Sequence, residues 1–187
     1  MFYEPDKRDR SLLPHDPFKA LIAPRPVGWI STCGANGEIN LAPYSFFNAF
    51  SGAPPIVGFC SEGFKDSAYL AKESGEFVWN LASFDLRDQM NATSAPLPRG
   101  SSEFVHAGLE MADCNLVKAP RVKASPASLE CKVTQVVRLD GLNGIQTDRY
   151  LVLGQVIGVH LDEAYIRDGV MDITLMKPLA RCGYQDY

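Results

Sequence analysis

Apolar and polar positions alternate with a period of two along much of the chain, which is the pattern of β-strands. Within residues 128–134, Leu129, Cys131 and Val133 would face one side of a sheet and the polar residues between them the other. Residues 150–160 are apolar on both faces, as expected for a strand inside a barrel or at a subunit contact. Further strands are predicted over residues 26–33, 38–42, 55–60 and 76–81.

Helical signals are few and short. Residues 67–74 follow Asp66, a good N-cap, and precede Gly75, a good C-cap. Two further short helices are predicted over residues 84–91 and 103–107. Because no regular alternation of strands and helices occurs, the pattern predicts a mainly β, α+β chain with an antiparallel barrel rather than a Rossmann sheet. No stretch resembles a linker, so we expect one domain over residues 1–187.

Strand geometry is expected to change twice in the second half of the chain. Val136 and Val137 interrupt the alternation that precedes them, which indicates a β-bulge or a change of surroundings. Gly141 and the pair Asn143–Gly144 then predict a turn between two long strands.

Composition and charge exclude several classes of protein. The 187 residues carry a net charge of −4, which argues against a nucleic-acid partner because such proteins present a basic face. The uncharged run 39–61 contains prolines and asparagines that are costly in lipid, so no membrane span or membrane partner is expected. The N-terminus lacks the apolar stretch of a signal peptide. We therefore expect a cytoplasmic location.

The cysteines and histidines suggest neither a disulfide framework nor a metal centre. Five cysteines are widely spaced without a C-x-x-C pair, which favours free thiols in a reducing compartment. The three histidines lie far apart in the sequence, so no metal site is predicted. No G-x-S-x-G motif or other catalytic triad is recognisable, and no catalytic acid or base is assigned.

A loop between a strand and a helix could bind a phosphate. Ser61, Lys65, Asp66 and Ser67 lie where a predicted strand ends and a helix begins. Free N–H groups, the positive end of the helix dipole, two hydroxyls and an ammonium group suit a phosphate. A capped surface helix with a solvated lysine explains the same residues.

Two further segments could contact a planar ligand. Residues 40–50 place four aromatic side chains close to small polar groups; the candidates are Tyr44, Ser45, Phe46, Phe47 and Asn48. Core packing beneath a loop is the alternative. In residues 25–32, the hydroxyls of Ser31 and Thr32 could face a ligand, and Arg25 is held between two prolines. For Arg25 the alternative is a surface ion pair.

Taken together, these segments resemble the flavin reductase-like family with the FMN-binding split-barrel fold. The resemblance rests on PRPVGWIST (24–32), NLAPYSFFNAFSGAPPIVGF (40–59), KDS (65–67) and SGEFVWNLA (74–82). It continues through ASPASLECKV (124–133), LGQVIGVHLD (153–162) and the ending PLARCGYQDY (178–187). The match covers nearly the whole chain in order.

The resemblance implies an antiparallel split β-barrel, a homodimer, and FMN bound near the subunit boundary. Ser31 and Thr32 would lie along the flavin, and the segment from Tyr44 to Asn48 would form a loop against its ring. Ser61, Lys65, Asp66 and Ser67 would surround the phosphate, with Arg25 nearby, and Arg181 would help to close the site. Cys60 and Cys182 depart from residues common in the family, which leaves their roles open.

The implied activity is hydride transfer from NADH or NADPH to FMN, followed by transfer of electrons to an acceptor. A partner protein is one candidate for this acceptor. An FMN electron carrier of the flavoredoxin type, without its own nicotinamide site, would use the same residues. Another flavin-dependent oxidase or oxygenase on the same barrel is also compatible. A non-catalytic barrel that binds another ligand is the remaining alternative.

Overall fold

A computed structural model of the protein describes residues 1–98 and 101–187. Seven strands form one antiparallel sheet in the order β3-β2-β6-β9-β10-β5-β4. The strands are β1 (Arg25–Pro26), β2 (Gly28–Cys33), β3 (Ile39–Tyr44), β4 (Phe47–Gly52), β5 (Pro55–Glu62), β6 (Glu76–Asn80), β7 (Met111–Ala112), β8 (Arg121–Val122), β9 (Ala127–Arg138), β10 (Arg149–Leu161), β11 (Ile166–Arg167), β12 (Val170–Met171) and β13 (Ala180–Arg181).

The helices are short and lie around the sheet. They are α1 (Phe18–Leu21), α2 (Asp66–Ser74), α3 (Arg87–Ala92), α4 (Glu103–His106) and α5 (Ile173–Met176), with 3-10 turns at Pro5–Lys7, Phe84–Leu86, Leu142–Gly144 and Glu163–Tyr165. Helix α2 lies where it was predicted and ends at Gly75, whose φ of 72° is the left-handed cap that glycine favours. The predicted N-cap is wrong, because Asp66 is the first helical residue, Lys65 takes the N-cap position and no side chain caps the helix there. The helix predicted over residues 84–91 is divided into a 3-10 turn and α3.

Strands β9 and β10 give the sheet its curvature. They have 12 and 13 residues, and their pairing register shifts at two points, between Leu153 and Gly154 and between Val156 and Gly158. The first shift leaves Thr134 unpaired, close to the bulge predicted at Val136. Bulges increase twist, and so allow long strands to bend around a core.

The core lies between the curled sheet and α2. Ile30, Phe59, Phe77 and Val152 are fully buried there. Gly154 is needed for this packing, because a Cβ at its position would lie 2.4 Å from the Phe77 ring. A glycine in β10 therefore lets the strand pass directly over an aromatic side chain.

A second layer covers the outer face of the sheet. The covering segment, residues 113–122, crosses β2, β6 and β9 and is held by their polar side chains. The Ser31 hydroxyl donates to Pro120 O (2.5 Å), and Asn80 Oδ1 accepts from Val122 N (2.8 Å). These two polar side chains are fully buried and are satisfied by backbone groups of the segment.

The segment that follows β3 differs from its prediction. Residues 47–52 form strand β4, which pairs with β5 at the edge of the sheet, instead of continuing a binding loop. The Phe47 ring stacks on Trp79 with 5.7 Å between centroids and an interplanar angle of 2°. Burial of this ring against the core accounts for the additional strand.

In the described part of the chain, no helix is long and apolar enough to cross a membrane. The prediction of a single domain over residues 1–187 stays a prediction.

Candidate functional site

Three cavities open side by side at the end of β3, and Pro43 and Tyr44 line all of them. The helix lobe, about 390 Å³, is lined further by Asn40, Lys65, Asp66, Ser67, Glu103 and residues 93–97. The aromatic lobe, about 520 Å³, is lined by Phe18, Lys19, Ser45, Phe46, Cys60, Glu62, Lys65, Leu139 and Arg149. The terminal lobe, about 440 Å³, is lined by Asp16, Lys19, Arg25, Val27, Ser45, residues 90, 91 and 94, Arg181, Tyr184 and Tyr187.

The helix lobe lies at the N-terminus of α2. Strand β5 ends at Glu62, the chain turns through Gly63 at a φ of 81°, and α2 begins at Asp66. The first N–H groups of a helix have no partner within the helix and carry partial positive charge. With the exposed Lys65 beside them, these groups suit an anion such as a phosphate.

A buried hydroxyl network supports this lobe from below. Asn40 Nδ2 donates to Ser67 Oγ at 2.6 Å, and the Tyr44 hydroxyl forms hydrogen bonds with Ser67 and Ser61. Burial raises the pKa of Tyr44, and the charges of Asp66 and Glu103 raise it further, whereas the two serine hydrogen bonds lower it. Tyr44 therefore remains a neutral phenol that fixes the floor shared by the three lobes.

The aromatic lobe combines an exposed ring with positive charge. The Phe46 ring is 41% exposed, with Lys19 Nζ 5.7 Å and Arg25 Cζ 5.9 Å from its centroid. Arg149 forms an ion pair with Glu62 at the end of β5. The Cys60 thiol also lines this lobe, and burial raises its pKa. This thiol is therefore protonated at neutral pH.

Arg25 joins the segments that surround the terminal lobe. Its guanidinium is buried and donates to the carbonyls of Ser45 (3.2 Å) and Cys182 (3.2 Å) and to those of Lys19 and Ile22. These bonds connect both ends of the chain to the loop after β3. Backbone carbonyls, and not the surface ion pair that was the alternative for Arg25, are the partners that the described residues give its guanidinium.

Arg181 lies opposite Arg25 in the short pairing of β1 with β13. Its guanidinium donates to Tyr184 O and lies 4.4 Å from the Tyr187 ring centroid. The C-terminal residues thus line one side of the terminal lobe, and the role of Arg181 in closing a flavin site stays a prediction.

Eight of the thirteen predicted binding residues line the lobes. They are Arg25, Tyr44, Ser45, Phe46, Lys65, Asp66, Ser67 and Arg181. Ser61 is fully buried behind Tyr44 and donates to Gly63 O at 2.7 Å. It supports the lobes but does not line them.

The remaining four predicted residues lie elsewhere. Ser31 is fully buried under the covering segment, with its hydroxyl engaged by Pro120 and Asn80, so we leave it out of the site. Thr32 points into the interior, and its Oγ1 is buried with no hydrogen-bond partner among the described residues. Phe47 packs in the core, and the exposed Asn48 accepts a hydrogen bond from the adjacent Ala49 N–H. Of the five residues expected to form a loop against the flavin, Tyr44, Ser45 and Phe46 line the lobes.

Sequence reasoning missed several residues that line the lobes. Lys19 and Arg149 supply positive charge, and Asn40 and Glu103 supply polar groups. Glu103 Oε2 accepts a hydrogen bond from Leu41 N at 3.2 Å, so α4 is tied to β3. Only Asn40 lay inside a quoted motif, because the other three come from distant parts of the chain.

The cationic groups and aromatic rings around the connected lobes would suit a planar ligand that carries an anionic group. Comparison with known proteins agrees with this description. Residues 21–174 match the flavin reductase-like domain. The chain therefore belongs to the flavin reductase-like family, and the predicted antiparallel split-barrel fold is confirmed.

Three known proteins illustrate the relationship. The Bacillus subtilis protein YwrF is 32% identical over 181 residues, which cover 92% of this chain and 88% of YwrF. The crystal structure of nitrilotriacetate monooxygenase component B from Bacillus cereus has a TM-score of 0.91 at 26% identity, covering 100% of this chain and 94% of that one. Flavoredoxin of Desulfovibrio vulgaris has a TM-score of 0.77 at 18% identity over 88% of this chain and 85% of its own, which shows the fold alone.

The lobes suit a flavin nucleotide in their chemistry. Lys65 and the first turn of α2 can bind a phosphate, while Tyr44 and Phe46 offer aromatic surface at the adjoining lobe. Two of the carboxylates are already engaged, Glu62 by Arg149 and Glu103 by Leu41 N–H. Membership of the family and this arrangement support a flavin-binding, reductase-type function.

Proposed function

We propose that the protein is an FMN-dependent oxidoreductase that takes reducing equivalents from NADH or NADPH and passes them to an acceptor. The observation that carries the proposal is the direct connection between the helix lobe and the aromatic lobe through Tyr44 and Lys65. An anion site and an aromatic wall on one continuous surface match the two ends of FMN. When bound, FMN supplies the hydride and electron chemistry.

The residues of this chain would bind and orient the cofactor. Lys65, Ser67 and the first N–H groups of α2 would hold the phosphate. Tyr44, Ser45 and Phe46 would lie along the ring system, and Arg25 would fix their loop through Ser45 O. Arg181 would hold the C-terminal residues at the edge of the terminal lobe. Ser61 would act indirectly, through the Tyr44 hydroxyl.

No general acid or base is required of the protein for this reaction. Hydride transfer needs the two rings held in contact and shielded from water. Phe18 and Leu139 give the aromatic lobe apolar walls that would exclude water. The catalytic contribution of the chain is therefore positioning.

We also propose that the protein is a homodimer. Strand β10 pairs with β5 only as far as Gln155, and beyond that point it pairs with β9 alone. Along this free edge Ile157, Val159 and Leu161 are 38%, 59% and 46% exposed. Exposed apolar edges invite pairing with another chain, so a second copy is the expected cover. Light scattering at micromolar concentration should give the dimer mass, and a monomer would contradict the proposal.

We also propose a cytoplasmic location, from the cysteine pattern and the lack of an apolar stretch at the N-terminus of the sequence. All five cysteines are free thiols, which supports a reducing compartment.

The experiment that tests the function is an anaerobic titration of FMN-loaded protein with NADH and, separately, NADPH. Fast, stoichiometric bleaching of the visible flavin band supports the reductase and identifies its preferred nucleotide. Bound flavin that stays oxidised with both nucleotides contradicts it. Reduction by a partner protein would then favour the electron carrier, and accelerated turnover with a small organic substrate would favour an oxidase or oxygenase.

A further inference from the structure

A second cluster of chemically active side chains lies on the outer face of the barrel. Cys114 belongs to the covering segment, Glu130 to β9 and His160 to β10. One sulfur, oxygen or nitrogen atom of each side chain lies within 4.8 Å of those of the other two. None of the three lines the helix, aromatic or terminal lobe.

The three groups form a donor set that suits a divalent transition metal. Thiolate sulfur, imidazole nitrogen and carboxylate oxygen are the zinc ligands found in proteins. Bonds of 2.0–2.3 Å in a tetrahedron place neighbouring ligand atoms roughly 3.3–3.8 Å apart. Side-chain movements of about an ångström would bring the three atoms to these separations.

Glu130 is a fixed point of this cluster. Its carboxylate is buried and accepts hydrogen bonds from the N–H groups of Asn115 (2.9 Å), Leu116 (2.6 Å) and Val117 (3.0 Å). Burial alone would raise the pKa of Glu130, but the N–H groups of Asn115 and Leu116 and the contact with His160 hold it below its ordinary value. The carboxylate is therefore ionised and cannot move away.

His160 completes the arrangement from the neighbouring strand. Its Nε2 lies 2.6 Å from Glu130 Oε1, and its side chain is 20% exposed, so the cluster is open to solvent on one side. Gly158 makes the space, because a Cβ at its position would lie 3.3 Å from the Glu130 Cβ and 3.4 Å from Oε1.

Cys114 carries a neutral thiol in the absence of a metal ion. Burial raises the pKa of the Cys114 thiol to about 12, and the charges of Glu130, Asp113 and Glu76 contribute in the same direction. Arg121 is the group that opposes them. A thiol with this pKa is not a nucleophile at neutral pH, but a bound metal ion can displace its proton.

We propose that Cys114, Glu130 and His160 bind one divalent metal ion of the zinc class. On binding, the Cys114 proton passes to solvent, and the proton of His160 Nε2 is exchanged through solvent to Nδ1, so that Nε2 turns from Glu130 to the ion. Water takes the open fourth position. The ion ties the covering segment to β9 and β10. The sequence shows no metal motif here because the three residues are far apart in the chain, 16 positions from Cys114 to Glu130 and 30 from Glu130 to His160.

The test is equilibrium dialysis of the full-length, FMN-loaded protein against Zn²⁺ after treatment with a chelator, followed by metal analysis. The wild type should bind one zinc per chain. X-ray absorption should show one sulfur at about 2.3 Å and nitrogen or oxygen ligands at about 2.0–2.1 Å. Cys114→Ser and His160→Gln should each weaken zinc binding at least tenfold.

Matched controls are available elsewhere in the chain. Cys33 packs against the same small apolar cluster as Cys114, and His106 is exposed, so Cys33→Ser and His106→Gln should bind zinc like the wild type. Circular dichroism and FMN content show whether each variant is folded. If His160→Gln does not fold, the sulfur signal and Cys114→Ser decide the question.

Three results would overturn the proposal. They are no stoichiometric zinc in the wild type, zinc without a sulfur ligand, or zinc retained when Cys114 or His160 is replaced. The cluster would then be a hydrogen-bonded tie between Glu130 and His160 only.

Discussion

The two faces of the sheet use buried polar side chains in opposite ways. Beneath the covering segment, Ser31, Asn80 and Glu130 form hydrogen bonds with backbone groups of residues 115–122. At the end of β3, Tyr44 and Ser67 form a buried network whose upper side opens onto the lobes. Polar residues on the first face hold the barrel together, whereas those on the second present a ligand surface.

This contrast shows why a polar residue on a strand is a weak sign of a binding site. A hydroxyl or amide that faces a covering segment satisfies backbone groups and leaves nothing for a ligand. Only its burial and its partners distinguish this role from ligand binding. The following variants test the contrast, in order of expected effect.

Asn80→Ala should produce the largest loss of stability. The Asn80 side chain bonds to Trp29 O, Ser31 Oγ and Val122 N, all in buried surroundings. Its removal should lower the free energy of unfolding by roughly 2–4 kcal/mol, because each buried group left without a partner costs about 1–3 kcal/mol. Denaturant unfolding measures the change.

The control for this variant is Asn48→Ala on the exposed edge strand β4. A surface substitution of this kind should change stability by less than about 0.5 kcal/mol. Equal effects at Asn80 and Asn48 would contradict the structural role of the covered face.

Lys65→Ala should weaken FMN binding and leave stability nearly unchanged. A charge-assisted hydrogen bond contributes about 1.5–3 kcal/mol, so the dissociation constant should rise at least about tenfold. Quenching of flavin fluorescence measures the affinity. Lys72→Ala, in the last turn of the same helix, is the control and should bind FMN like the wild type. Similar affinities of the two variants would refute the phosphate assignment.

Protonation of Glu130 at acid pH should lower the free energy of unfolding. The pKa of Glu130 in the folded protein lies below its ordinary value, so its contribution is complete above about pH 4.5 and is lost as the pH falls further. The wild type should therefore lose more unfolding free energy between pH 6 and pH 3 than Glu130→Gln does. Denaturant unfolding across this range gives the dependence of unfolding free energy on pH for both proteins. Equal pH dependences would show that Glu130 has no such role.

Tyr44→Phe should have the smallest effect. The variant keeps the ring against Phe59, at 4.7 Å between centroids, and loses the hydrogen bonds with Ser61 and Ser67. A loss of about 1 kcal/mol of unfolding free energy is expected. Tyr187→Phe is the control, because its exposed hydroxyl has only a 3.5 Å contact with Asn91. A Tyr44 variant as stable as this control would show that the hydroxyl network adds nothing.

Much of the fold could be predicted from the sequence because its signals are local. The alternation in residues 128–134 and the C-cap Gly75 each specify an element without reference to the rest of the chain. Strand β4 was missed because its residues, FNAFSG, resemble an aromatic loop when their pairing with β5 is unknown. The pairing with β5 therefore determines that residues 47–52 form a strand.

The site was predicted in part for the same reason. Lys65, Asp66 and Ser67 are consecutive and belong to one recognisable strand–loop–helix unit. Arg149 reaches the aromatic lobe from β10, which the sequence gives no means of placing there. The burial of Ser31 and Thr32 could not be foreseen, because alternation identifies two faces of a strand but not what covers each.

The most direct test of this account is a crystal structure of the protein with FMN bound. We expect the phosphate against Lys65 and the first turn of α2, the ring system along Tyr44 and Phe46, and Ser31 still bonded to Pro120. A phosphate bound away from α2, or a flavin in contact with Ser31 on the covered face, would contradict the account.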